Sequence, residues 1–445
     1  MEKIRRLGTI EIYLPMLMCS LYLLNYVIQF SPFAGLYYHI FNVLYISILV
    51  FLVLNKKMDV FYILVLFYFV VCHQYASDPY NENFKNYLSG FYKFIVLSLL
   101  LPFIKISKVS NLMFASILLI ATVYSLIWGQ WFRGQYFFND LFACAFLLLF
   151  LMGAKVSPLR DLDVAKILFK FSLTLPFSYL VVYLMGLHSE LFGSYYFFYG
   201  QAYSLIVIFS AAYFFEKRFP VFSISSLLTL INVIVFTQAA QTAQLLIVIL
   251  AVIIVALYRR RLRDYFVVCS LLITFLLLAN FSESGSWLYL KANQLVALLE
   301  VFTGEFEGMM AFNSIAIRLA QLQSIMATSD WFELVFGRGM GSIYVDSLAL
   351  ISDLHLHKAT FPEAELSSGE FYTIHESWVF LIMKSGFLGL ALVCVFFGLE
   401  IYRNGTRYSM LILYLFVFMF WSSSMQFILF SFVLKLLVNE SQKEK

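Results

Sequence analysis

The chain has 445 residues, of which 62% are hydrophobic and 13% charged, with a formal net charge of +4 and a mean hydropathy of +0.86. A soluble domain carries about 25% charged residues, so this composition sets aside a soluble globular protein and places the chain in the membrane class. The one dense basic run, Arg259-Arg260-Arg261 with Arg263, directly follows an apolar stretch and reads as a topology signal, which argues against a nucleic-acid partner.

Taken in chain order, apolar stretches predict spans near residues 11–30, 38–54, 59–75, 90–104, 112–129, 140–153, 167–186, 202–216, 219–236, 244–258, 265–280 and 376–399. The first lacks a small-residue cleavage site and is too long for a signal-peptide core, so it reads as an uncleaved span. A last stretch, 409–437, is interrupted by Trp421-Ser422-Ser423-Ser424 and predicts a hairpin of two short spans. The expected fold is an all-α polytopic membrane protein of about 12–14 transmembrane helices. One large loop falls between the third-last and second-last spans. The expected parts are an N-terminal bundle over 1–280, a loop domain over 281–375, and C-terminal helices with a tail over 376–445.

Lys and Arg set the expected orientation. Lys3, Arg5, Arg6, Lys56, Lys57, Lys105, Lys108, Lys155, Arg160, Lys166, Lys217, Arg218, the 259–263 run, Arg403 and Arg407 fall in one set of loops. The alternate short loops carry only Lys85 and Arg133. By the positive-inside rule the first set is cytoplasmic, so the long loop is extracytoplasmic. The five cysteines all lie in apolar segments without metal-ligand spacing, so neither a disulfide framework nor a zinc site is expected. No P-loop or Rossmann fingerprint occurs. Chemistry outside the cell without nucleotides needs a substrate already activated by a good leaving group, and in a membrane this suggests a lipid pyrophosphate. No cofactor is expected.

The long loop holds four cations: Lys291, Arg318, Arg338 and Lys358. Arg318 lies in Asn313-Ser314-Ile315-Ala316-Ile317-Arg318-Leu319-Ala320-Gln321-Leu322, whose periodicity is helical. Its guanidinium could grip a pyrophosphate bidentately, and a solvated helix face is an equal reading. Arg338 sits in Phe336-Gly337-Arg338-Gly339-Met340-Gly341, where Gly339 and Gly341 would let backbone approach an anion; a plain turn is the competing reading. His375 and Glu376 open the next span and could deprotonate an incoming hydroxyl, or could simply be polar groups at a membrane surface. His355 and His357, near Glu363, Glu365 and Glu370, fit a solvated loop better than a metal site.

Arg133, in Trp131-Phe132-Arg133-Gly134, is the one Arg in the short outer loops, where the positive-inside bias works against it. The ring-rich loop Phe192 to Gln201 suits stacking on sugars or lipid. Tyr372 is a further candidate for binding glycan. Lys384, about two turns below His375, is a candidate binding residue whose bland account is snorkelling. Gln238, Gln241, Thr242 and Gln244 polarise one turn between spans.

Together these pieces resemble the Wzy/O-antigen ligase superfamily of bacterial envelope glycan enzymes. The likeness rests on an Arg-led helix at Arg318, then Gly337-Arg338-Gly339-Met340-Gly341, then Ile374-His375-Glu376-Ser377 and Lys384-Ser385-Gly386-Phe387-Leu388-Gly389. Glu376 stands where the family has Asn, and no Arg matches the family's Ser-Arg pair near Gln241-Thr242. The resemblance implies a metal-independent, inverting glycosyltransferase of the inner membrane whose donor is a glycan on undecaprenyl pyrophosphate. Arg318 would be the main pyrophosphate clamp, assisted by Arg338 or Arg133, and His375, oriented or replaced by Glu376, would take the acceptor proton. Its expected partners are lipid-linked repeat units, with a chain-length regulator and a flippase as further candidates. A polymerase that extends lipid-linked repeat units is expected over a ligase that transfers to lipid A–core. A transporter of lipid-linked oligosaccharide is the reading from another class, as is a non-catalytic glycan-binding partner.

Overall fold

A computed structural model describes residues 2–28, 34–71, 92–127, 134–156, 163–186, 201–217, 223–225, 227–229, 231–232, 242–259, 313–347, 361, 363–372, 374, 376–404, 407–420 and 425–441. Those residues are mostly helical. The helices run α1 (Glu2–Ile28), α2 (Ala34–Leu54), α3 (Met58–Val71), α4 (92–100), α5 (Lys108–Ile127), α6 (Gly134–Leu151), α7 (Val164–Leu184), α8 (Gln201–Lys217) and α9 (Thr242–Arg259). After these come α10 (Asn313–Thr328), α11 (Trp331–Phe336), strand β1 (Tyr344–Val345), α12 (Glu363–Ser368), strand β2 (Glu370–Phe371), α13 (Ser377–Asn404), α14 (Tyr408–Phe420) and α15 (Met425–Ser441). The apolar stretch 409–437 holds two helices, α14 and α15, on either side of the Trp421–Ser424 interruption, which lies outside the described residues.

Intrinsic propensity does not explain these helices. α3 is dense in β-branched and aromatic residues, which favour strands. Every residue from Phe61 to Val71 is buried. A helix satisfies each backbone group within its own segment, and this demand outweighs propensity wherever apolar surroundings exclude water.

Packing divides the chain into two units, each built from separate stretches of sequence. The first comprises Met1–Lys108, Met152–Ala240 and Gln426–Lys445. Within it α1 lies along α7, α7 along α8, and α2 along α3. Polar groups between α2 and α3 satisfy one another. Tyr68 donates to Asn42, Asn42 donates to the carbonyl of Tyr38 at 2.8 Å, and Tyr45 donates to the carbonyl of Leu64 at 2.9 Å.

The second unit comprises Val109–Leu151 and Gln241–Met425. α11 packs along α13, and α14 packs on both α13 and α9. β1 and β2 pair antiparallel with Tyr344 opposite Phe371, their rings stacked at 5.4 Å. α10 packs on β1, and α12 packs on β2. Helices from the expected loop domain thus share one packed unit with α5, α6 and α13.

Among the described residues two helical segments are long and apolar enough to cross a membrane, Leu36–Leu54 in α2 and Ser377–Asn404 in α13. Among the described residues several shorter apolar helices of 10–17 residues accompany them. Each of the two long helices carries an exposed apolar stripe. In α2 it is formed by Leu36, Ile40, Val43, Leu44, Ile48 and Phe51; in α13 by Phe387, Leu388, Leu392, Val395 and Leu399.

Candidate active site

The site is built around a break in α13. Gly386 has φ 66° and ψ −175°, so the helical hydrogen bonding is interrupted there. In a continuous helix the carbonyls of Met383 and Lys384 would accept from residues four positions on. Here they accept from the turn after α11: Arg338 N donates to Met383 O at 2.8 Å and Gly339 N to Lys384 O at 3.1 Å. The fit is reciprocal. A Cβ on Gly337 would overlap the Lys384 carbonyl, and one on Gly386 would overlap the Val335 carbonyl. Gly337 also has φ 85°, which disfavours any side chain.

The rest of the turn is held by α5 and α6. Met340 N donates to Ser125 Oγ at 2.8 Å, Gly341 N to Asp140 Oδ2 at 2.7 Å, and Tyr124 Oη to the carbonyl of Gly337 at 2.6 Å. Every amide from Arg338 to Gly341 therefore donates within the chain. The glycine turn that the sequence offered as an anion cradle has its donors turned inward, two onto carbonyls freed by the helix break and two onto the Ser125 and Asp140 side chains. Gly339 serves close packing there, since a Cβ on it would crowd Ser125, and Gly341 supplies a positive φ of 80°.

Asp140 organises the centre of this region. Its Oδ2 also lies 2.7 Å from Lys384 Nζ, and its Oδ1 accepts from Tyr372 Oη at 2.9 Å. Lys384 donates in addition to the carbonyl of Ser342 at 2.6 Å, and its Nζ sits 4.9 Å from the ring centroid of Tyr372. Tyr372 stacks on Tyr136 with centroids 4.0 Å apart and planes 14° from parallel. Burial, then the Asp140 carboxylate, raise the Tyr372 phenol well above its ordinary pKa, so it stays a donor. Lys384, a candidate for substrate binding, is thus neutralised by Asp140. Sequence reasoning missed Asp140, although it is the one charged residue in the apolar run of α6.

Arg338 is similarly engaged. Its Nε donates to Glu333 Oε2 at 3.2 Å, one terminal nitrogen to the carbonyl of Ile343 at 3.3 Å, and the other to Thr328 Oγ1 and Ser329 Oγ at 2.8 and 2.9 Å. Glu333 also completes a capping box with Asp330 at the start of α11. These bonds lock the end of α10 to α11. They leave the guanidinium poorly disposed to clamp a ligand.

Arg318 and Glu376 meet. The Arg318 Nε forms an ion pair with Glu376 Oε1, joining α10 to the residue that precedes α13. The Arg318 side chain is 26% exposed and that of Glu376 only 6%. Burial raises the Glu376 pKa above its ordinary value, and the Arg318 charge and hydrogen bond oppose the rise. Its Oε2 has no hydrogen-bond partner among the described residues. α10 is held over this point by two contacts to the ribbon: Gln321 Nε2 to Tyr344 Oη at 2.8 Å, and Ser324 Oγ to Asp346 Oδ1 at 2.9 Å. The ribbon leads through Tyr372 and Ile374 to Glu376.

Arg133, His375, His355, His357, Lys291, Lys358, Gln238 and Gln241, and the ring-rich loop from Phe192 to Gly200, lie outside the described residues. Among the described residues no three His, Cys, Asp or Glu side chains gather to hold a metal ion. Comparison with protein families, with curated proteins and with solved structures finds no match.

The arrangement offers one partly exposed guanidinium beside a buried carboxylate, at the end of a helix whose interior is fixed by an inward-facing polar cluster. Such a pair can bind an anion and accept a proton within one small volume.

Proposed function

We propose that the chain is a membrane-embedded glycosyltransferase of the polymerase type. It transfers a growing glycan from undecaprenyl pyrophosphate onto a fresh lipid-linked repeat unit. The observation that carries this reading is the contact between Arg318, read from the sequence as the pyrophosphate clamp, and Glu376, read there as orienting or replacing His375 as proton acceptor. Arg318 neutralises charge developing on the departing lipid pyrophosphate. Glu376, with His375 beside it in sequence, accepts the proton of the acceptor hydroxyl as that oxygen attacks the anomeric carbon. The Tyr136–Tyr372 stack, tied to Asp140, is a rigid aromatic wall suited to a sugar face.

The membrane placement has its own support. The exposed apolar stripes of α2 and α13 suit lipid. Lys384 lies about 10 Å along α13 from its first residue at 1.5 Å per residue. The turn after α11 reaches that level, and irregular backbone inside a bilayer is tolerated only when buried in protein with its polar groups satisfied. Here they are. α11 and its turn are then a re-entrant segment, and the site lies at the mouth above it. The Lys and Arg distribution supports an extracytoplasmic mouth, the apolar stretches support a bundle of about 12–14 spans, and the resemblance supports a bacterial inner membrane.

The test is an in vitro assay of the purified full chain with a synthetic undecaprenyl-pyrophosphate repeat unit, without nucleotide. A ladder of products is expected. Absence of a ladder with the host's own repeat unit, and transfer to lipid A–core instead, would make the protein a ligase. Transfer to neither would overturn the transferase reading.

A further inference from the structure

The Arg318–Glu376 pair sets up a competition. One guanidinium answers a carboxylate that is 6% exposed, while itself remaining 26% exposed. An anion arriving from solvent therefore meets Arg318 before it meets Glu376. Glu376 depends on that single cation: its Oε1 makes the ion pair and its Oε2 has no hydrogen-bond partner among the described residues. A buried carboxylate whose partner is drawn away is left desolvated and uncompensated. We propose that donor pyrophosphate and Glu376 compete for Arg318, so that donor binding unmasks the carboxylate that takes the acceptor proton. This inference rests on the polymerase reading above and concerns the order of events at the same site.

In the resting state the pair is closed. The carboxylate is neutralised and is a weak base, and the guanidinium is engaged. When pyrophosphate takes the guanidinium, the one positive charge that meets the buried carboxylate among the described residues is shared with a stronger anion. The proton affinity of Glu376 then rises, in the direction that burial already favours. The acceptor oxygen forms its bond to the anomeric carbon of the donor sugar. The bond from that carbon to the phosphate oxygen breaks, and its electron pair leaves with the lipid pyrophosphate. The hydroxyl proton passes to Glu376. The base is armed only when a donor is seated, so donor binds before acceptor.

The experiment is equilibrium titration of the purified full chain with inorganic pyrophosphate, followed by steady-state transfer with a lipid-linked donor. Glu376→Gln removes the competitor while keeping the shape. It is expected to bind pyrophosphate about tenfold more tightly than wild type, a gain of about 1.4 kcal/mol. Its donor KM falls while kcat drops by about a hundredfold or more. Glu376→Asp, which keeps the charge but shortens the reach to Arg318, is expected to bind with intermediate affinity, and decides the matter if the Gln variant does not fold. Affinity unchanged or weaker in these variants, with binding still lost in Arg318→Ala, would overturn the competition and leave the clamp intact. Binding unchanged in Arg318→Ala would instead overturn the reading of Arg318 itself.

Discussion

Lys384 Nζ lies 2.7 Å from Asp140 Oδ2, between side chains that are 2% and 1% exposed. Removing one partner of a buried ion pair strands the other charge, at a cost of about 3–5 kcal/mol, whereas replacing both by apolar groups is often tolerated. Asp140→Asn and Lys384→Met are each expected to lower the unfolding temperature sharply. The double variant Asp140→Leu with Lys384→Met is expected to recover much of the loss. Thermal unfolding in detergent across this double-mutant cycle checks it.

The glycine interlock gives a second expectation. Ala at Gly337 or Gly386 would meet backbone and would also need a positive φ, so each is expected to cost about 2–4 kcal/mol or to abolish folding. Gly398 is the control, because it lies in the same helix with open space where a Cβ would go. Gly398→Ala is expected to be neutral or stabilising by up to about 1 kcal/mol. Denaturation midpoints for the three variants decide between a packed interlock and a tolerant turn.

Arg338 separates a structural cation from a ligand-binding one. Its four hydrogen bonds tie α10 to α11, so Arg338→Ala is expected to lose on the order of 3 kcal/mol of stability. Pyrophosphate affinity of the folded fraction is expected to stay within about twofold of wild type, less than 0.5 kcal/mol. A selective loss of affinity would return Arg338 to the binding site.

Glu376 sets a pH dependence whose sign can be worked out. Burial raises its pKa above the ordinary 4.5, with Arg318 opposing, so the folded state binds protons more readily than the unfolded chain. The group therefore stabilises the fold most at low pH, and that contribution is lost as pH rises from 4.5 through the raised folded pKa. Activity runs the opposite way, because a base must be deprotonated, so rate falls as pH drops through the raised value. Glu376→Gln is expected to remove this group's contribution to both trends. Paired pH profiles of unfolding temperature and of transfer rate check it.

Helical segments were legible because long apolar runs punctuated by charge leave few alternatives, and the Trp421–Ser424 interruption falls between α14 and α15. The capping box at Asp330 and Glu333 escaped notice, although its residue types and spacing are a helix-start signal. The function of the glycine turn was not legible. Gly-x-Gly serves equally to cradle an anion or to admit another backbone, and the choice depends on what lies opposite. Here that is a pair of carbonyls freed at Gly386, far away in sequence. Asp140 escaped notice because its partners, Lys384, Tyr372 and Gly341, all come from the other end of the chain. Its signal was nonetheless present, since a carboxylate within an apolar run demands a buried partner. Arg318 and Glu376 were each visible as candidates, and their contact was not, since it depends on α10 being held over the ribbon by Gln321 and Ser324.

The most direct measurement is single-turnover transfer by wild type, Arg318→Ala and Glu376→Gln with an undecaprenyl-pyrophosphate repeat unit, each variant first shown to be folded at the assay temperature. The account expects product from wild type and a loss of at least about a hundredfold in both variants. Wild-type rates in either folded variant would contradict it, because the Arg318–Glu376 pair would then be a structural contact and the chemistry would lie elsewhere.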